Sequence, residues 1–447
     1  MRGPRRVVLA LVSIALLAAA CTAGGGNTSS APPSVNLSGS HEPVTLTLWT
    51  FFTNPELKKF DAVVQQVHQK FPWITVNVVP GKQSEDIDRA ISSGTAPDVA
   101  MECCPDDSAK LCSAGAWIDL NPFIKAEGLD MPKILTPSAL AYTGYQGKQC
   151  SLPVLTDAYG LYYNTDMFRQ AGISSPPKTY SELLADAKKL TQLNPDGSIK
   201  VAGFNMLPTG YEVSNFENGV WSDTKWYDDS GKSALGSDPG WADMMSFQKQ
   251  MVDALGADQL RSWYASVGGP NSEFSPSNAF ENGKLAMTID GEWRVAFIAD
   301  DQANIHYATA PFPVADDKPQ LYGTGQIGGS LIGIPKDTPH QADAWQVVKY
   351  LATDAGAEQS LAESLKNVPT VRAALQDPAL TSDPHFVTFL KIFANPNSRY
   401  KPITPLGTGD VTLVDQFIEN YLAGKESDLH GGLSDLANRI DQQSSLG

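Results

Sequence analysis

From Val44 to Trp49 apolar and polar residues alternate (VTLTLW), the period of a half-exposed strand. Leu57, Phe60, Val63, Val64, Val67 and Phe71 then return at helical intervals, and Pro72 stops the stripe. Residues 74–79 (ITVNVV) predict a second strand, 86–92 a short helix, 94–97 a turn and 98–101 a third strand. Strand, helix, strand, helix, strand is the pattern of an α/β fold with a mostly parallel sheet. Ligands of such sheets meet the carboxyl ends of the strands, which marks the positions just after Leu48 and just after Met101. Further along, 115–127 predicts a turn and short helix, 152–163 a strand, and 179–193 a helix striped by Leu183, Leu184, Ala187 and Leu190. Residues 202–298 are mixed and rich in Trp, Tyr and Gly. Ala344, Trp345, Val348 and Leu351 form another helical stripe, and 410–422 and 433–440 read as helices. No repeat of fixed period interrupts this order. A chain of 447 residues has room for two to four such lobes, at roughly 100–200 residues each.

The first residues follow a different rule. Arg2, Arg5 and Arg6 precede an apolar run over 7–20, which is shorter than the roughly 20 residues a membrane span needs. A charged start, a short apolar run and small residues at its end predict a secretory signal over 1–20. Its end, Leu16-Leu17-Ala18-Ala19-Ala20-Cys21, resembles a bacterial lipobox, with Ala18 where Leu is usual. That resemblance implies cleavage before Cys21 and lipid on its sulfur, anchoring the chain to the membrane. Gly, Ser, Thr, Asn and Pro dominate 22–43, too polar a tract to bury a core, so 21–43 reads as a lipidated cysteine and flexible tether reaching about 25 Å.

Charge and cysteines narrow the partners. The formal net charge is −16, and loss of 1–20 with its three arginines deepens it to −19. An acidic surface excludes nucleic acid, whose phosphates need a basic one. If Cys21 carries lipid, Cys103, Cys104, Cys112 and Cys150 remain, an even number suited to two disulfides in an exported protein. A bond between neighbours is strained, which leaves 103–112 with 104–150, or 103–150 with 104–112. Without paired CxxC knuckles a zinc site is not expected, nor is any other metal or cofactor: the six histidines are scattered and no HExxH occurs.

Five stretches then occur in a telling order. They are Leu48-Trp49; Ser92-Ser93-Gly94-Thr95-Ala96-Pro97-Asp98-Val99; Leu161-Tyr162-Tyr163-Asn164-Thr165-Asp166-Met167-Phe168 with Pro176-Pro177-Lys178-Thr179-Tyr180; Phe280-Glu281-Asn282-Gly283-Lys284-Leu285-Ala286-Met287-Thr288-Ile289-Asp290-Gly291-Glu292-Trp293; and Ala310-Pro311-Phe312-Pro313 with Gly328-Gly329 and Ile332-Gly333-Ile334-Pro335-Lys336. Together they resemble the extracellular solute-binding proteins of sugar ABC importers, the maltose-binding-protein-like family 1, over about 44–425. The resemblance implies a type II periplasmic-binding-protein-like clamshell of two α/β lobes, each discontinuous in sequence. It places 44–155 with 312–372 in the first lobe and 156–311 with 373–447 in the second. The crossings would fall near 153–156, 310–313 and 368–373. It implies a monomer on the outer face of the membrane that captures a sugar in the interlobe cleft and hands it to permease subunits, with no chemistry on the ligand.

A sugar cleft needs aromatics for the apolar faces of the ring and carboxylates or amides for its hydroxyls. By resemblance these are Trp49 and Phe51 after the first strand, Glu102 after the third, and Asp157 and Tyr159 at the first crossing. Asp290, Glu292 and Trp293 follow, with Trp293 the expected stacking ring. Gly328 and Gly329 would let the backbone approach ligand, and Tyr211, Trp221 and Leu406 would add contacts from the second lobe. Acidic and aromatic candidates favour a neutral or mildly cationic ligand. Two alternatives stand beside this one: a secreted glycoside hydrolase, which needs two carboxyls flanking one bond, and the same fold binding a molecule other than a sugar. No GxSxG elbow supports a serine hydrolase.

Overall fold

The computed structural model describes residues 37 and 41–444; the signal, Cys21 and nearly all of the tether lie outside them. One seven-stranded sheet organises the described chain. Its strands are β1 (Val44–Trp49), β2 (Ile74–Val79), β3 (Val99–Glu102), β4 (Ser151–Asn164), β5 (Met287–Gly291), β6 (Tyr307–Ala310) and β7 (Ile327–Gly333), in the order β6-β4-β7-β3-β1-β2 with β5 also paired to β4. β1 and β2 have the predicted bounds, and the first helical stripe becomes two helices, Glu56–Val64 and Gln66–Lys70. Only β1 with β2 and β1 with β3 run parallel; the other pairings are antiparallel. The mostly parallel sheet expected from the first hundred residues therefore holds at one end alone.

Two separate cores flank this sheet. Leu46, Leu48, Phe60, Ile74, Val99, Trp345, Leu351 and Leu361 fill the first. Leu161, Tyr162, Leu183, Trp221, Trp241, Phe312, Ile418 and Leu436 fill the second. β4 belongs to both: Leu152 and Val154 pack in the first core, Leu161 and Tyr162 in the second. Its fourteen residues, at about 3.3 Å each, are long enough to link them.

The other two links lie later than the resemblance implied. Phe312 and Val314 still pack in the second core, and β7 makes the return, from Ile327 in the second core to Ile332 in the first. Val368, Val371, Leu380 and Phe386 stay in the first core. Helix Pro384–Ala394 then crosses, with Phe386 on one side and Phe389 and Ile392 on the other. A strand or helix can bury its two ends in different cores without breaking its own hydrogen bonds, so regular elements serve as links.

Two cores share one anchored joint at β4. Leu155 has φ 67°, the left-handed region that a branched side chain rarely adopts. Its amide donates to Glu358 Oε1 at 3.2 Å, while Glu358 Oε2 accepts from the amides of Thr370 at 2.6 Å and Val371 at 3.3 Å. Glu358 is fully buried, and desolvation pushes its carboxyl up to about 7 despite these donors. One carboxyl thus ties the strained bend of β4 to the segment that follows helix Ala355–Leu365.

Candidate functional site

Just past that bend β4 leaves the first core and exposes two side chains, Asp157 and Tyr159, set opposite Gly328 of β7 and Gly291 of β5. Asn367 holds the acid from a third segment: its Nδ2 donates to Asp157 Oδ1 at 2.8 Å and to Glu292 Oε1 at 3.1 Å. Glu292 Oε2 accepts from the Ala158 amide at 2.8 Å, and Glu292 is fully buried. Desolvation pushes Asp157 up to about 7, and desolvation followed by the Asp157 charge pushes Glu292 well above the usual carboxylate range. A charge on Asp157 thus makes it costlier to ionise Glu292 beside it.

Beside the acids stands an aromatic wall. The Trp293 ring meets Tyr159 edge-on, centroids 5.4 Å apart at 86°, and Trp293 Nε1 donates to the Tyr211 hydroxyl at 3.2 Å. Tyr211 in turn meets Phe274 edge-on at 5.4 Å, and Phe274 is 67% exposed. Gly291 makes the wall possible: a Cβ there would lie 2.1 Å from the Trp293 ring.

Glu212 and Glu56 add acid from both lobes. Desolvation first, then the Asp290 and Asp157 charges, push Glu212 up to about 8; desolvation also pushes Glu56 up to about 7 against the pull of Lys59. Desolvation raises the hydroxyls of Tyr159 and Tyr211 as well. Asp157, Tyr159, Tyr211, Glu212 and Glu56 nevertheless all keep accessible surface. These side chains are largely withdrawn from water yet keep some surface open to it.

Ion pairs join the segments of the two cores at two points. Lys59 Nζ lies 2.5 Å from Asp300 on helix Arg294–Asp300, and Lys401 Nζ lies 3.5 Å from Asp106 and 2.9 Å from Asp410.

The structure thus gathers Asp157, Tyr159, Tyr211, Glu292 and Trp293 into one group and separates others. Asp290 is fully engaged by protein: it is 1% exposed, and its oxygens take Arg294 Nε at 2.7 Å and the Gly291 amide at 2.8 Å. Arg294 also donates to Glu281 Oε1 at 2.9 Å, so this buried ion group braces the turn that carries Trp293. Trp221 is fully buried in the second core, its Nε1 donating to the Thr324 carbonyl at 3.0 Å. Trp49 lies under the Lys82 ammonium at 4.5 Å, and Phe51 packs on Phe52 at 4.3 Å. Leu406 is half-buried against the second core. Glu102 is buried at the end of β3, hydrogen-bonded to Ser84, with its carboxyl pushed up to about 7 by desolvation and its Oε1 unpartnered among the described residues. Gly329 has φ 142° and packs where a Cβ would strike the Tyr142 hydroxyl at 2.6 Å, whereas a Cβ on Gly328 would meet open space.

The cysteines pair otherwise than expected. Cys112 and Cys150 form a disulfide with Cα atoms 5.5 Å apart, and Cys103 and Cys104 are free. Both expected pairings are therefore corrected. Cys112 lies on helix Ser108–Ser113 and Cys150 just before β4, both buried in one small cluster with Trp117 and Tyr142, so tertiary packing selects the pair. No motif marks Asn367, Glu212, Glu56 and Phe274, which join this neighbourhood from four distant segments. Among the described residues no group of three or more His, Cys, Asp or Glu side chains is arranged to hold a metal ion.

A family model described as bacterial extracellular solute-binding protein matches residues 54–358, well over half of the chain. The chain belongs to that family. Among its relatives, this binding protein is 25% identical over 328 residues to a maltooligosaccharide ABC transporter solute-binding lipoprotein of Streptococcus pneumoniae, covering 70% of this chain and 69% of the relative. It is 22% identical over 351 residues to a maltotriose-binding protein of Pyrococcus abyssi, covering 75% and 69%. The mannotriose-bound structure of a protein named CpMnBP1 superposes with a TM-score of 0.78 at 25% identity, covering 88% of this chain and 99% of that one. The family and these relatives are binding proteins rather than enzymes, and the clamshell fold is theirs.

Proposed function

We propose that this solute-binding protein captures a neutral or mildly cationic carbohydrate in the hollow between its lobes and delivers it to the permease of an ABC importer. The observation that carries the reading is the convergence of an acid group (Asp157, Glu292) and an aromatic wall (Tyr159, Trp293, Tyr211) on one space. The nearest cations are already neutralised, Arg294 by Asp290 and Glu281 and Lys59 by Asp300, so an anionic ligand would find no free partner in them. Names of relatives that bind maltotriose and mannotriose support the ligand class.

Glu102, Trp49, Phe51, Gly328 and Leu406 are held as candidate ligand contacts outside this group, while Gly329, Asp290 and Trp221 are engaged by protein. The division into two lobes serves capture directly. A sugar that touches both cores favours the closed state by its differential affinity and shifts the population toward it. Asp157 and Glu292 share one amide nitrogen, too close to flank a bond as a hydrolase's two carboxyls do, which favours capture without chemistry on the ligand. The protein works as a monomer, held at the outer face of the membrane by lipid on Cys21.

A thermal-shift and calorimetric screen over mono- and oligosaccharides tests this. One sugar class should raise the melting temperature and change tryptophan fluorescence; no response across the panel would refute sugar binding. Release of reducing ends would support a hydrolase instead.

A further inference from the structure

Cys103 and Cys104 lie outside the disulfide, and sugar capture as described leaves them without a role. Their position follows from the sheet. Glu102, the last residue of β3, sits opposite Leu331 of β7. β3 ends there, so Cys103 and Cys104 leave the sheet where β7 runs back from Leu331 toward Gly328, which faces Asp157 across the β7–β4 pairing. Cys104 is exposed and Cys103 half-buried. Asp157 and Tyr159 lie within electrostatic reach of the Cys104 sulfur. The loop then continues to Asp106 and Asp107, which meet Lys401 and the backbone at Gly407. The pair therefore stands on a wall of the hollow, beside the contact that joins the lobes.

We propose that Cys103 and Cys104 are an oxidisable pair that closes into a vicinal disulfide, and that the closed ring forms part of the wall against which ligand packs. The ligand half rests on the carbohydrate reading; the chemistry does not. The oxidant is a small-molecule disulfide. The Cys103 thiolate attacks it and releases a thiol; Cys104, whose thiol the Cys103 hydrogen bond and desolvation hold well above the usual range, then gives up its proton as it attacks the resulting mixed disulfide and releases the other. One S–S bond breaks, one forms, and the two protons lost by the protein end on the two departing thiols. The buried Cys112–Cys150 bond marks a compartment that permits such oxidation. Adjacent Cα atoms are about 3.8 Å apart, short of the usual disulfide span of about 4.4–6.8 Å, so the ring is strained and reopens readily. Strained, accessible disulfides are the labile ones, whereas Cys112–Cys150 is shielded. Closure removes two S–H donors, fixes the loop after β3 and presents carbon and sulfur to the apolar face of a ring, lowering the ordering cost of binding.

The test uses the full mature chain incubated with oxidised glutathione, or with a mild phosphine, then alkylated in acid and digested. After oxidised glutathione the peptide holding both cysteines should be unlabelled and two hydrogens lighter than its reduced form; after the phosphine it should carry two labels while Cys112–Cys150 stays closed. Affinity for maltotriose and mannotriose, measured on both forms, should be roughly threefold or more tighter in the oxidised one for whichever sugar binds. The Cys103→Ser/Cys104→Ser chain, with its melting temperature checked, should show no response to oxidant. Two alkylated thiols after oxidised glutathione, or a persistent mixed disulfide, overturns the pair. A closed pair with equal affinities in both forms overturns its place in the wall. A closed pair with no response to any sugar of the mono- and oligosaccharide panel in either form supports the modification site and sinks the sugar reading.

Discussion

Replacing Gly291 by alanine isolates the positioning of Trp293 from its chemistry. Gly291 has no positive φ, so alanine fits its backbone, and the whole effect is steric. The new Cβ would lie 2.1 Å from Trp293 Cζ3, where ordinary carbon contact is about 3.5–4.0 Å, so the ring must retreat by roughly 1.5 Å. Retreat disturbs the edge-on contact with Tyr159 and the Nε1 bond to Tyr211. Overpacking of this kind costs about 1–3 kcal/mol of stability, a drop of a few degrees in melting temperature for a chain this long. Binding should suffer more than folding. Losing roughly 80 Å² of stacking face at about 25 cal/mol per Å² weakens binding by about 2 kcal/mol, or roughly thirtyfold in Kd. Calorimetric titration with the sugar found by the screen, beside a thermal melt, reads both effects. Trp293→Ala should lose a similar amount, and the double variant should lose little more than either alone, because both changes remove one contact. Unchanged affinity in Gly291→Ala with a lowered melting temperature would refute the reasoning, as would losses that simply add.

Three further outcomes follow from other parts of the molecule. Asp157 is held above its unfolded value, so its contribution to stability is present below about pH 4 and fades as pH rises toward about 7; Asp157→Asn should therefore melt higher than the parent at pH 8 and much like it at pH 4, as thermal melts across pH will show. Glu358→Ala strands the amides of Leu155, Thr370 and Val371 and should cost about 3–5 kcal/mol in denaturant unfolding, with Glu358→Gln recovering part; a loss below about 1 kcal/mol would mean that the bend at Leu155 does not need the carboxyl. Cys21→Ala should move the protein from the membrane fraction to the soluble fraction on fractionation of expressing cells, and persistent membrane association would remove the lipid anchor from the proposed function.

What could be read from the sequence was local or motif-borne. Alternation and helical spacing located β1, β2 and the helices at 56–70 and 180–190, because each pattern reports which face of one element is buried. Ordered motifs implied the clamshell, and the same resemblance offered Asp157, Tyr159, Glu292 and Trp293 among its ligand contacts, residues that stand near one another in the structure. What only the tertiary structure decided was the company each side chain keeps. Asp290 and Glu292 are two residues apart, yet Arg294 engages one while Asn367 draws the other to Asp157. Trp221 and Trp293 were both expected to contact ligand, Trp293 as the stacking ring, but Trp221 fills the second core while Trp293 keeps surface and stands edge-on to Tyr159. The cysteine pairing, the late crossings at β7 and Pro384–Ala394, and the acids Glu56 and Glu212 depend on segments far apart in the chain. Periodicity records burial along one element, whereas a site between lobes is set by contacts across elements, which distance along the sequence does not encode.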